Sequence, residues 1–260
     1  MAEPRAQDSP DGGWRAPVPQ ADDAVYRVVG TENRTPTIRE LWLRPLTSGL
    51  TYRPGEYVLL EDRDAGTPPR SYSIANAPRP DGLISLLVTR VPSGATSPWI
   101  HDHVRVGDDL SISGPYGTFV DDVAARTPCL LLAAGSGLAP ERALVEAALS
   151  VRTRSSVTLV FSVRTAADAM DHKRFTRAQQ THPQFRFACT TTRETGPGLH
   201  GRVPTVLPDI CADLVDHDVF IAGAPGFVEA CADTVSALGA RPPRVHTEAF
   251  FAEPGGGSRQ

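Results

Sequence analysis

The stretch "LLLAAGSGLAP", residues 130–140, decides how the chain divides. It is an apolar run that ends in two glycines one residue apart and then a proline, the composition of a buried strand turning into a helix. Glycine at 135 and 137 lets the backbone approach a pyrophosphate where a side chain would collide, and the helix that follows offers unpaired amides and the positive end of its dipole. Pro140 suits the first helical turn, where the amide hydrogen it lacks would have no partner. The fragment also approaches a nucleophile elbow around Ser136, but that motif needs glycine at 134 and 138; Ala134 and Leu138 disfavour a serine hydrolase. A phosphate-binding turn normally follows the first strand of its fold, so the chain ahead of it belongs to another unit.

That leading unit reads as strands. "AVYRVV", "TIRELWLRPL", "EYVLLED", "SYSIAN", "LISLLVTR" and "DLSISGP" are short β-prone runs, most bounded by Gly, Pro, Asp or Asn, at the spacing of a small antiparallel barrel. From about Thr127 strands alternate with helices: "PCLLLAA", "ERALVEAAL", "SVTLVFSV", then "FRFACTTT", "DVFIAGA", a helix from about Gly226 with Val228, Cys231, Val235 and Leu238 at helical spacing, and "RVHTEAF". The expected fold class is α+β in two domains, an antiparallel β-barrel at 23–124 followed by an α/β parallel-sheet domain at 125–252. Residues 1–22 and 253–260, rich in Pro, Gly and polar residues, are expected to be flexible tails.

With 40% hydrophobic and 22% charged residues and a net charge of −4, the chain is ordinary for a soluble protein and has no electrostatic invitation to nucleic acid or an anionic membrane. It lacks both a spanning segment of roughly 18 apolar residues and a secretory leader, which points to the cytoplasm. Cys129, Cys189, Cys211 and Cys231 form no tight ligand spacing, and His101 and His103 stand without a third ligand in a solvated loop or helix start, so no metal site is expected.

In the leading half, "RSYSIANAP" (70–78), "VTRVPSGATSPWI" (88–100) and "GPYGTF" (114–119) resemble the flavin-binding motifs of the ferredoxin-NADP reductase superfamily, and the likeness to its oxygenase-reductase branch runs from about 25 to 251. The resemblance implies FAD in the barrel. Arg70 would pair with the flavin phosphate, Tyr72 pack on the isoalloxazine ring, and Ser73 hydrogen-bond near flavin nitrogen-5. Arg90 and the loop with Gly94, Thr96 and Ser97 would form the second half of the pyrophosphate site. Gly135, Gly137 and Pro140 match the family's nicotinamide-nucleotide loop, Gly223 and Pro225 its "CGPP" segment, and Glu248 with Phe250 its C-terminal acid and aromatic beside the flavin. Ser73, Tyr72 and Glu248 are the residues implied at the hydride-transfer position. The family's cysteine near that position is Ala222 here.

For the second nucleotide, Ser162 and Arg164 end a strand with no acid to hold a ribose 2′-hydroxyl, and "TTRE" resembles the phosphate-gripping "SRE" of NADPH-using relatives. Thr192 and Arg193 would hold the 2′-phosphate, and NADPH is favoured over NADH. The implied activity is electron transfer: hydride passes from NAD(P)H to FAD and electrons then pass to a separate protein, a ferredoxin, flavodoxin or oxygenase, since the chain has neither the room nor the cysteines for an iron-sulfur domain. Two other readings are a free flavin or ferric-chelate reductase with a small acceptor, and a redox-sensing module that binds nucleotides without turnover.

Overall fold

The computed structural model describes residues 22–61, 66–122, 124–151, 153–194 and 198–250. The two expected tails lie outside these residues, apart from Asp22, which opens the first strand.

Strands β1 (Asp22–Asn33), β2 (Ile38–Pro45), β3 (Tyr57–Glu61), β4 (Arg70–Ser73), β5 (Ile84–Thr89) and β6 (Asp109–Tyr116) form one antiparallel sheet in the order β4-β3-β6-β1-β2-β5. Its two ends curl together. Ile74 bridges Leu86, and the Ala75 amide donates to the Ser85 carbonyl at 2.8 Å, so the sheet closes and its edges are covered. Alternation along the strands fills the interior: Val58 and Leu60 of β3 are buried while Tyr57, Leu59 and Glu61 are half-exposed, and Tyr26, Leu41, Leu43, Ile84 and Ile112 join them in the barrel core. In β2 the alternation fails, with Ile38, Arg39, Glu40 and Leu41 all buried. One face of β2 fills the barrel and the other is covered by the second half of the chain. Helix α1 (Thr96–Asp102) occupies a segment expected as loop and buries Ile100.

The second sheet comprises β7 (Cys129–Ala134), β8 (Val157–Val163), β9 (Phe185–Thr191), β10 (Leu199–His200), β11 (Asp218–Gly223) and β12 (Val245–Ala249), all parallel, in the order β10-β9-β8-β7-β11-β12. Helices α2 (Leu138–Val151), α3 (His172–Thr181), α4 (Val203–Ile210) and α5 (Pro225–Ala237) connect the strands. Both faces of the sheet are packed, which is why all seven residues of β8 are buried and its sequence shows no alternation. Leu131, Phe161 and Phe175 lie in the core on the α2 and α3 side. Leu132, Val160, Leu207 and Cys231 lie in the core on the other side. Cys231 is thus a packing residue, as its helical spacing implied.

Strand order reverses between β7 and β11: the chain builds outward to β10 on one side and then returns to β11 and β12 on the other. A crevice therefore opens at the carboxyl ends of β7 and β11. The barrel sits against it. Ile38, Ala75 and Leu87 of the barrel belong to the same apolar cluster as Leu138, Ala139 and Leu144 of α2.

A buried ring of charge crosses the same boundary. Arg142 of α2 contacts Glu40 of β2 at 2.6 Å and Asp171 at 2.9 Å, and Arg34 contacts the same two acids at 2.8 and 2.6 Å.

Candidate active site

On the barrel side, a cavity of about 500 Å³ is lined by Arg70, Tyr72 and Ser73 of β4, by Gly94, Thr96 and Ser97 around the start of α1, and by Glu248, Ala249 and Phe250 at the end of β12. β4 and β12 come from opposite halves of the chain, and they meet through a hydrogen bond: Ser73 Oγ donates to Glu248 Oε1 at 3.0 Å. Burial pushes the Glu248 carboxyl up to about 7, with the Ser73 bond opposing the rise. Its second oxygen, Oε2, is buried and has no hydrogen-bond partner among the described residues. Burial also raises the Tyr72 phenol above its ordinary value, against the Arg70 charge, so this ring stays neutral. The Thr96 hydroxyl donates to the Pro68 carbonyl at 2.7 Å and Ser97 Oγ accepts the Val91 amide at 3.0 Å, so both hydroxyls shape the turn that walls the cavity.

On the sheet side, a second cavity of about 490 Å³ is lined by the residues that end the parallel strands: Ala134, Gly135 and Ser136 after β7, Ser162 to Arg164 at β8, Thr192 after β9, Ala224 after β11 and Phe250 after β12. The two cavities share Thr89, Val91, Ser136 and Phe250, so they form one continuous cleft. Gly135 has a φ of +57° and open space where a Cβ would stand, so the backbone is bare toward the cleft. A third cavity continues the cleft outward past Ser162, Arg164 and Thr192 to Arg193, Arg202 and Gly226. Among the described residues no carboxylate pairs with Arg164, Arg193 or Arg202.

Five of the residues assigned to cofactor binding from the sequence do not line these cavities. Gly137 packs instead of exposing backbone: a Cβ there would stand 2.1 Å from the Ala222 carbonyl oxygen, so the glycine lets the β7–α2 turn rest on β11. Gly223 accepts the Phe250 amide at 2.8 Å and so fixes the aromatic that divides the cleft. Pro140 is buried in the first turn of α2, and Pro225 opens α5. Arg90 forms a two-pronged pair with Asp102 of α1, both contacts at 2.7 Å. Thr89 and Val91 line the cleft and Arg90, between them, does not. Ala222 is fully buried, with its side chain in the apolar core.

The sequence reading missed several lining residues. Ser136, weighed there as a nucleophile, accepts a hydrogen bond from Thr89 Oγ1 at 2.8 Å across the cleft. Thr35 and Thr37, in the turn between β1 and β2, and Asp168 line the sheet-side cavity. Nothing in the local pattern of "TENRTPTIRE" marks those threonines. The His101 ring, in α1, contacts the Val88 carbonyl at 3.0 Å, and no group of three His, Cys, Asp or Glu side chains suited to a metal occurs among the described residues.

This donor set fits a flat, phosphate-bearing cofactor with a nucleotide laid beside it. A guanidinium, an aromatic ring and a hydroxyl stand along β4, and the orphaned Glu248 oxygen and the open flank of Gly135 meet the cleft from the other half. The comparisons agree. The profile of the oxidoreductase FAD-binding domain matches residues 35–120, and that of the oxidoreductase NAD-binding domain matches residues 131–233. The chain is 30% identical over 94% of its length to the ferredoxin–NAD(P)(+) reductase component of the naphthalene 1,2-dioxygenase system of Pseudomonas putida, of which it spans 76%. It is 33% identical over 79% of its length to the reductase subunit of an aromatic O-demethylase from Amycolatopsis, of which it spans 63%. The crystal structure of an Amycolatopsis cytochrome P450 reductase superposes with a TM-score of 0.83 at 29% identity, covering 94% of this chain and 74% of that one. A barrel and a parallel sheet that share one cleft, with the matching profile on each, establish that the chain belongs to the ferredoxin-NADP reductase superfamily, as an oxidoreductase built from an FAD-binding and an NAD-binding domain.

Proposed function

We propose that the chain takes hydride from NADPH onto FAD held on the barrel side and delivers electrons to a separate acceptor protein, a ferredoxin, flavodoxin or oxygenase. The observation that carries this reading is the continuous cleft, in which the Ser73–Glu248 pair and the Gly135 turn face the same space. One relative is the reductase component of a dioxygenase system and the other the reductase subunit of an aromatic O-demethylase, and this chain is assigned the same kind of role. We place the domain boundary at residues 124 and 125. We assign the protein to the cytoplasm, which the four free cysteines favour; no described helix is long and apolar enough to cross a membrane.

FAD, when bound, accepts an electron pair and releases electrons singly. Everything else is positioning and electrostatics. Arg70 holds phosphate by its forked donors, and the neutral Tyr72 ring packs on the flat heterocycle. While Glu248 is ionised, Ser73 gives its hydrogen to Glu248 and turns an oxygen lone pair to the cleft. Once Glu248 is protonated, its own O–H can serve Ser73, which frees the serine hydrogen for the cleft. A carboxyl near 7 makes that reversal available at neutral pH. Phe250 stands where the two cavities meet, and Gly135 and Ser136 supply backbone and hydroxyl to the nucleotide.

NADPH is favoured over NADH because Thr192 stands among Arg164, Arg193 and Arg202, none of them neutralised by a described carboxylate. Three unpaired guanidiniums around one cavity suit a phosphate monoester. An absorption spectrum followed by anaerobic titration with each nucleotide tests the reading. A flavin spectrum that NADPH bleaches more readily than NADH is expected, whereas a protein that takes up no FAD overturns it.

A further inference from the structure

Arg39 of β2 is 8% exposed, and no carboxylate among the described residues pairs with it. Its donors go to main chain and one hydroxyl. Nη1 donates to the carbonyls of Ile100 at 3.0 Å and His101 at 2.6 Å, and Nη2 donates to the Val104 carbonyl at 3.1 Å and to Thr31 Oγ1 at 3.0 Å. These carbonyls belong to the last turn of α1 and the chain just beyond it, where helical bonding leaves them without partners. At the same end Arg90 grips Asp102, and the His101 ring contacts the Val88 carbonyl. The carboxyl end of α1 is therefore tied to β2 and to the end of β5. The other end walls the cleft: Gly94, Ala95, Thr96 and Ser97 line the same cavity as Arg70. Ile100 seats α1 in the barrel core, but apolar contact is non-directional and does not fix position along the helix axis. The forked donors of Arg39 do fix it. The seven residues of α1 carry that position about 10 Å, to the cavity wall.

We propose that Arg39 is a positioning residue for FAD: by fixing the carboxyl end of α1, it holds the turn from Gly94 to Ser97 at the distance from Arg70 that a dinucleotide's diphosphate needs. The inference rests on the reading of the barrel-side cavity as the flavin site. FMN, with a single phosphate, is served by Arg70 on β4. FAD adds a second phosphate and an adenosine, and these fall to the turn. A turn displaced by the loss of Arg39 therefore weakens FAD and leaves FMN alone. Arg39 touches no cofactor, since it lies outside the residues that line the cavity, and its whole effect passes through α1.

Titration of the flavin-free protein with FAD and with FMN, followed by quenching of flavin fluorescence, tests this in wild type, Arg39→Met and Arg39→Lys. The wild type is expected to prefer FAD. Methionine keeps much of the stem and removes the donors, so FAD affinity should fall about tenfold while FMN affinity stays within about twofold. Lysine is the milder variant and carries the comparison if the methionine variant does not fold. It keeps the charge, but one ammonium does not span three carbonyls and a hydroxyl as the fork does, so FAD should weaken about threefold, again with FMN unchanged. Equal loss of both flavins means that Arg39 only supports the barrel and overturns the proposal, as does unchanged FAD affinity in both variants. A wild type that binds FAD no more tightly than FMN also overturns it, because the turn then takes no second phosphate. A wild type that takes up neither flavin is a separate failure: it removes the assignment of the cavity, and the proposal with it.

Discussion

Replacing Arg142 with methionine tests whether the ring of charge at the boundary sets the geometry of the cleft. In the native protein the side chain is 3% exposed and touches two acids, Glu40 and Asp171, whose own side chains are 2% and 7% exposed. Methionine keeps much of the stem volume and removes the charge, so packing is largely conserved. Arg34 remains, paired to both acids, and continues to neutralise one of the two negative charges. Breaking a buried pair on one side costs about 3 to 5 kcal/mol, and with Arg34 in place the lower end applies. The Ala75 carbonyl, held by Arg142 Nε at 2.5 Å, also loses its donor, which adds about 1 kcal/mol. The expected loss in urea unfolding is therefore about 4 kcal/mol, a large part of a typical domain's stability but not all of it. Burial pushes the Asp171 carboxyl up, but the Arg142 and Arg34 charges more than offset it and hold the value below the ordinary 3.8. The stabilisation it provides is thus present above that range and fades as pH falls through it, so the deficit of the variant should shrink in acid. If the ring also fixes the cleft, kcat should fall much more than FAD affinity, because a displacement of about 1 Å between reacting atoms can cost about a hundredfold in rate. A stability loss under about 1 kcal/mol with unchanged kcat would refute the reasoning.

Arg70→Ala should lose a charge-assisted bond worth about 1.5 to 3 kcal/mol and weaken FAD about ten- to a hundredfold, read by equilibrium dialysis; unchanged retention removes the phosphate role. Arg193→Ala and Arg202→Ala should each raise KM for NADPH and leave KM for NADH alone, and equal effects on both nucleotides would remove the 2′-phosphate assignment. Glu248→Gln tests burial of the carboxyl in the flavin-free protein. Its folded value of about 7 lies above the ordinary 4.5, so wild-type stability falls as pH rises between them, by about 3 kcal/mol in all. The amide does not titrate, and the stability of the variant relative to wild type should climb by that amount across the window. A flat difference means that the carboxyl is solvated.

Strands were legible wherever one face or both are buried. The six runs of the barrel and the apolar β7, β8 and β11 carry their burial in their composition, and the Gly135 turn could be placed because a strand, a glycine and a helix follow one another directly. Besides α1, three elements were not legible. α3 buries only Phe175 and is otherwise polar, so it shows little apolar stripe. α4 carries Pro204 and Pro208, residues that argue against a helix when read alone. β10 is two residues long. Within the site, the direction of Arg90, just past the end of β5, is set by its pair with Asp102 of α1, which the identity of the residue does not reveal. Arg202 went unread because its neighbours in the cleft lie on other strands.

The Ser73–Glu248 contact explains why site and fold cannot be read separately in this chain. The two residues are 175 positions apart, and the motif that holds each one does not reveal that they touch. What brings them together is the reversal of strand order, which puts β12 on the far side of β7 and β11, and the barrel closing over the crevice that results. The charged ring and the shared apolar cluster then act on the same boundary from behind, one by direction and the other by burial. Apolar packing alone would tolerate sliding between the halves, because it has no preferred angle. Forked guanidinium contacts to two fixed carboxylates do not. Arg142 is therefore placed to hold the angle of the cleft.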